Sequence, residues 1–173
     1  MRRTAIVWLA LVVTASPAAA AGAAPPLPSA IVPSRAIGPF RLGMTARQFE
    51  TARRTALCPG NVQAVFEQGR VARLETNCGG AYRTETRITV GMDPSRMLRI
   101  FGTPDRIVRS NTGGTRGEWL QYVRFGIAFR VVYADVGYGL IQAIAVFRGT
   151  APWQAPADTD LPDGPPEPPP GLN

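Results

Sequence analysis

Apolar and polar positions along the chain follow two different periods, and the switches between them mark its elements. Behind Thr45, the residues Phe49, Ala52 and Ala56 recur at helical spacing until Cys58-Pro59-Gly60 stops the run. Thr45 and Gln48 form a T-x-x-Q capping box, in which the Thr hydroxyl takes one free helix N–H and the Gln side chain returns to another. A second helix is predicted behind Asp93, an N-cap with Pro94 in the favoured first helical position. Met97, Leu98 and Phe101 would form its buried stripe, and Gly102-Thr103-Pro104 would end it. Each helix is followed by β-rich runs: 61–78 reads as a hairpin turning at Gln68-Gly69, and 126–148 as one turning across Asp135 to Gly139. Two more strands, 106–110 and 117–123, flank the Gly-rich turn 111–116.

The same lead precedes both helices. Leu42-Gly43-Met44-Thr45 returns as Val90-Gly91-Met92-Asp93, 48 positions later. The pattern predicts an α+β fold of two degenerate repeats, about 37–80 and 85–148, each a short helical segment followed by an antiparallel meander. The two must share one core, because neither half could bury its sheet face alone.

The ends of the chain lack this patterning. Arg2-Arg3, the 11-residue, largely apolar run from Ala5 to Ala15 and the small-residue stretch from Ser16 to Ala24 have the three-part layout of a secretory signal peptide. The apolar run is shorter than the roughly 20 residues a membrane-spanning helix needs. An Ala-x-Ala cleavage site fits at 18–20 or at 19–21, and no Cys stands behind the run to carry a lipid. The expected organisation is a signal peptide (1–21), a Pro/Ala-rich linker (22–34), one domain (35–150) and a disordered acidic Pro-rich tail (151–173). The exported chain would be periplasmic or secreted, with no transmembrane segment.

Charge divides along the same boundaries. The domain holds 17 Arg against 8 Asp and Glu, a balance of +9, whereas the tail holds four acids and no base, a balance of −4. Every basic side chain is Arg. A GC-rich genome produces such a bias with no functional meaning, and a surface that uses planar guanidinium groups on phosphate or carboxylate produces it equally well.

Missing residue types narrow the chemistry. Without His there is no Ser-His-Asp or Cys-His site and no His-ligated metal; without Lys there is no Schiff base, Ser-Lys dyad or Walker-type lysine. The domain's acids, Glu50, Glu67, Glu75, Glu85, Asp93, Asp105, Glu118 and Asp135, are scattered, so no catalytic, cofactor or metal residue is assigned. The only cysteines, Cys58 and Cys78, are expected to pair in an exported chain, and closing their loop would stabilise the fold by roughly 3 kcal/mol.

Ile37-Gly38, Leu42-Gly43-Met44-Thr45, Val90-Gly91-Met92-Asp93, Phe101-Gly102-Thr103-Pro104-Asp105 and Trp119-Leu120-Gln121-Tyr122 together resemble the "GMT…GxP(D)…WxY" pattern of the SmpA/OmlA (BamE-like) envelope domains. Those domains share a helix-then-sheet fold with the tandem-repeat β-lactamase inhibitor proteins. The resemblance spans about 37–148 and implies a small periplasmic domain that binds a protein or an envelope component without catalysis. The chain departs from the lipoproteins of that group in lacking the anchor Cys.

For binding, Trp119, Tyr122, Tyr133 and Tyr138 are candidates for an aromatic patch on an exposed sheet face, the kind of surface that carries interface energy. Tyr122, Tyr138 and Arg124 are expected to be exposed; Trp119 and Tyr133 could instead be core. The Gly-rich 111–117 reads as a hairpin turn rather than an anion cradle. The sequence thus favours a non-enzymatic binding or assembly module of the cell envelope, its partner a protein or an anionic polymer, with no cofactor. A small carboxylate-dependent hydrolase is the alternative, and export and the acidic tail oppose a nucleic-acid binder.

Overall fold

In the computed structural model, residues 27–110, 116–133 and 139–148 are described. They form a mixed α+β fold with two helices and two sheets. The small sheet has the order β3-β2-β1-β6, with β1 Ala30–Val32, β2 Ala36–Ile37, β3 Phe40–Arg41 and β6 Arg83–Thr84; its pairs are antiparallel except β1 with β6. The large sheet is antiparallel throughout, in the order β4-β5-β10-β9-β8-β7. Its strands are β4 Val62–Glu67, β5 Arg70–Thr76, β7 Arg106–Ser110, β8 Gly117–Tyr122, β9 Ile127–Tyr133 and β10 Gly139–Phe147.

Local chemistry sets the helix starts. At α1, Ala46–Arg53, the Gln48 N–H donates to Thr45 Oγ1 at 3.3 Å and the Thr45 N–H donates to Gln48 Oε1 at 2.9 Å, closing the capping box. At α2, Ser95–Phe101, the Asp93 carboxylate accepts from the Ser95 N–H at 2.8 Å and from the Ser95 hydroxyl. These bonds to the ionised form hold the Asp93 carboxyl below its usual pKa. The helix thus starts one residue later than the sequence suggests, with Pro94 as its cap position.

Both helices bury one side against the large sheet. Phe49 of α1 and Met97 of α2 enter a single core with Ile31, Ile37 and Phe40 of the small sheet and Leu74, Phe129 and Ile144 of the large one. Leu98 departs from expectation at 41 % exposure. Met97 and the half-buried Phe101 are four apart and share a face, and Leu98 lies about 100° round the helix from Met97, outside that narrow stripe. The strand Ala30–Val32 falls in the stretch expected to be linker. Its Ile31 is buried because β1 is sandwiched between β2 and β6.

The two hairpins of the large sheet pair in one pattern. In β4–β5, Val62↔Thr76 to Val65↔Arg73 run in step, Ala72 is skipped, and Phe66↔Val71 and Glu67↔Arg70 resume. In β9–β10, Ile127↔Val146 to Arg130↔Ala143 run in step, Gln142 is skipped, and Val131↔Ile141 and Val132↔Leu140 resume. The skipped residue is a one-residue bulge that locally increases twist. The hairpins meet along β5 and β10, with Glu75 opposite Ala145. The leads match as well. Gly43 (φ +87°) donates to Val71 O at 2.7 Å and Met44 O accepts from Val71 N–H at 2.8 Å. Gly91 (φ +90°) donates to Ile141 O at 2.8 Å and Met92 O accepts from Ile141 N–H at 2.9 Å.

Cys58 and Cys78 are placed as a disulfide, with 6.4 Å between their Cα atoms. The bond ties the segment after α1 to the end of β5. Tyr82, fully buried, reinforces that join by accepting the Cys58 N–H on its hydroxyl at 3.3 Å.

Candidate binding face

Successive side chains of a strand point to opposite faces. One face of the large sheet meets the helices and the small sheet; the other carries a separate cluster whose described members, Trp119, Ala128, Ala143, Ala145 and Phe147 with Val108 beside it, come from β7 to β10. The registers order this outer face into rows. One row runs Gln63, Glu75, Ala145, Ala128, Gln121, Arg106. The row next to it contains Ala143, Arg130, Trp119 and Val108; on the other side Arg73 pairs with Phe147. Ala145 and Ala128 between Glu75 and Gln121, with Ala143 in the next row, therefore form a low floor, bordered by Trp119, Phe147, Arg73 and Arg130.

This face is polar yet well removed from water. Gln121 has no exposure and Arg130 5 %, with Trp119 at 3 %. Arg73, Trp119, Gln121 and Arg130 are each engaged in polar, ionic or ring contacts. Burial pushes the Glu75 carboxyl above its usual pKa, an effect that the charges of Arg73 and Arg130 reduce without cancelling. Burial also lowers the Arg73 guanidinium, against the raising effect of Glu75 and Glu67. Arg73 nevertheless stays protonated in water, so the face sets an acid with a raised pKa beside permanent positive charge.

The Glu75 shift has a pH consequence. The folded state holds this proton more tightly than the unfolded chain, so its contribution to stability is present below the unfolded pKa and is lost as pH rises from there through the raised value. Glu75→Gln should flatten that decline and leave the protein at least as stable at neutral pH. Urea midpoints of both proteins from acid to neutral pH test this; parallel curves would refute it.

The described members of the aromatic patch read from the sequence, Trp119, Tyr122 and Tyr133, do not come together on one exposed face. Trp119 lies on the outer face, but Tyr122 is three residues further along β8 and therefore on the inner one, fully buried rather than exposed. Its hydroxyl donates to Gly102 O at 3.0 Å, and its ring packs on Phe101 and Phe129 at 5.1 and 6.0 Å between centroids. Burial raises the Tyr122 pKa. Tyr133 is the opposite case, 49 % exposed where a core position was the alternative. Arg124 is exposed as expected, but its guanidinium serves local structure: it donates to Phe101 O at 3.1 Å and lies 4.9 Å from the Phe125 ring centroid. Tyr138 lies outside the described residues, as do most of the turn 111–117 and the tail.

No protein family, curated protein or solved structure matches this chain. What the site can do therefore rests on its own geometry. Among the described residues no group of three or more His, Cys, Asp or Glu is placed to hold a metal ion, and no helix is long and apolar enough to cross a membrane. A cleft of about 680 Å³ beside the small sheet includes Arg41, Leu42, Gln48 and Arg70 in its lining, but Arg70 is already committed to Gly43 O at 3.0 Å.

The residues that shape the outer face escaped sequence reasoning. Glu75 and Arg73 looked like members of a dispersed set, and Ala128, Ala143 and Ala145 carry too little apolar surface to stand out in a period-two run. The available signal was parity: Arg73 and Glu75, Ala128 and Arg130, and Ala143 and Ala145 are each two apart, so each pair shares a face.

Proposed function

We propose that this chain is an exported, non-catalytic binding module of the bacterial cell envelope, recognising an anionic partner through the outer face of its large sheet. The observation that carries the reading is that face: an alanine floor edged by Arg73, Arg130, Trp119 and Phe147, with Arg106 at its exposed rim. Arginine beside aromatic surface suits recognition, because the planar guanidinium binds carboxylate or phosphate in a forked geometry and stacks on rings. The apolar N-terminal segment with its small-residue site supports export, and the resemblance to SmpA/OmlA domains supports an envelope role. Within this reading the domain is one unit used twice. The matched bulges at Ala72 and Gln142 and the matched bonding of Gly43 and Gly91 support that duplication.

The test is partition of the chain from residue 22 onward onto phosphatidylglycerol vesicles, with phosphatidylcholine vesicles as the neutral control. Each Arg near an anionic surface contributes about 1 kcal/mol, so Arg73→Gln with Arg106→Gln should weaken partition roughly 30-fold. Arg47→Gln with Arg99→Gln, exposed on the helices, should change it far less. Equal binding to both lipids, or equal loss in the two double variants, would remove the assignment.

The hydrolase reading has one observation in its favour. Burial raises the Glu75 pKa, as a general acid requires. The row it occupies offers Gln63, Gln121 and Arg106 rather than the second carboxylate that glycoside hydrolysis uses.

A further inference from the structure

The outer face is deeply buried for the second side of an antiparallel sheet. An antiparallel sheet commonly turns one face to water, and long side chains there keep much of their accessibility. Here the described members of the cluster on that face come from β7 to β10, and Trp119, Gln121 and Arg130 are almost completely shielded.

We propose that the acidic C-terminal segment, residues 151–173, is the resident occupant of this face, an intramolecular ligand that a target must displace. The first argument is position. The last strand, β10, ends at Phe147, whose side chain belongs to the outer face, so the 25 residues from 149 to 173 leave the sheet beside the surface they would cover. The second is reach. Six strands spaced about 4.8 Å apart span about 24 Å, and a polyproline-type chain rising about 3.1 Å per residue crosses that in about eight residues.

The third argument is chemistry. The segment carries Asp158, Asp160, Asp163 and Glu167 and no base, opposite Arg73, Arg130 and Arg106. Its eight prolines each fix φ, which lowers the chain entropy lost on docking, and Trp153 and Leu161 are apolar side chains able to sit on the alanine floor. Tethering raises the effective concentration to the millimolar range, so weak contacts suffice for occupancy and still yield to a tighter partner.

The experiment reads Trp119 directly. In the chain from residue 22 onward, Trp153→Phe leaves Trp119 as the sole tryptophan. Its emission should be blue-shifted and resist acrylamide. Deleting 151–173 should shift the emission to the red and raise the quenching constant several-fold, and adding a synthetic peptide of residues 151–173 that carries Trp153→Phe should reverse both. Neutralising the four acids (Asp158→Asn, Asp160→Asn, Asp163→Asn, Glu167→Gln) at full length should give an intermediate result, and added salt should move the Trp153→Phe protein the same way. Far-UV circular dichroism identifies any variant that has unfolded, and the full-length neutralised protein then decides the matter alone. Equal quenching with the segment present, deleted or neutralised would overturn the proposal. The occupancy is independent of the anionic recognition proposed above. Shielding of Trp119 reports the segment, whereas stronger vesicle binding by the deleted protein reports the face it uncovers, so either can fail without the other.

Discussion

Phe129→Ala should destabilise the domain by about 3–5 kcal/mol, which exhausts much of the roughly 5–15 kcal/mol available to a domain of this size. Phe129 sits at the middle of β9, paired to Leu120 on one side and Ile144 on the other, with no exposure. Its ring lies 5.2 Å from Phe101 of α2 and 6.0 Å from Tyr122 of β8, measured between centroids. Truncation therefore opens a cavity walled by a helix and three hydrogen-bonded strands, which cannot collapse without breaking the ladder. Phe125→Ala is the internal comparison: it removes a ring of the same size that is 43 % exposed and should cost far less. Equilibrium urea unfolding measures both, and similar losses would mean that the core is not centred where the structure puts it.

Gly126→Ala should cost on the order of 3 kcal/mol, an unusually large effect for a single methyl group. Gly126 ends the 3-10 turn Val123–Phe125 with φ +65°, a conformation L-residues rarely adopt. A Cβ there would collide with Ser34 Oγ and approach Phe147 O to 2.6 Å. Neither neighbour can yield freely. Ser34 N–H donates to Gly126 O at 3.1 Å and the Ser34 hydroxyl donates to Phe125 O at 2.9 Å, while Phe147 N–H also donates to Gly126 O, at 3.1 Å. Gly69 and Gly91 separate the steric from the conformational part. Their φ values are +73° and +90° with nothing within 4 Å of a built Cβ, so alanine at either should cost only about 1 kcal/mol. Three equal losses in urea unfolding would show that backbone conformation alone sets the penalty at Gly126.

What was legible in the sequence depended on whether the signal was local. The Thr45–Gln48 box and the Gln68-Gly69 turn are decided within a few residues, and both occupy the structure as read. The small sheet was not legible: β1, β2 and β3 are two or three residues long, too short to show a period, and β1 joins β6 across some fifty residues of chain. The candidate site failed for a different reason. Trp119 and Tyr122 were grouped because both are aromatic and close in sequence, but an odd spacing on a strand separates their side chains by the thickness of the sheet. Aromatic character attracted attention, whereas the floor of the outer face is alanine and its charges come from β5 and β9, far apart in the chain.

The seam between β5 and β10 determines how the sheet can assemble. Each flanking hairpin closes within a short stretch, and hairpins form in about 1–10 μs. The seam instead joins residues about seventy positions apart, Glu75 to Ala145 among them, and rewards the chain only after that long loop has been closed. The two hairpins should accordingly be established before they dock, and until then each exposes a bare strand edge, β5 in one and β10 in the other. Those edges are complementary to the same edges of a second molecule, so a folding chain held at high concentration faces an exchange of hairpins between copies as its characteristic error.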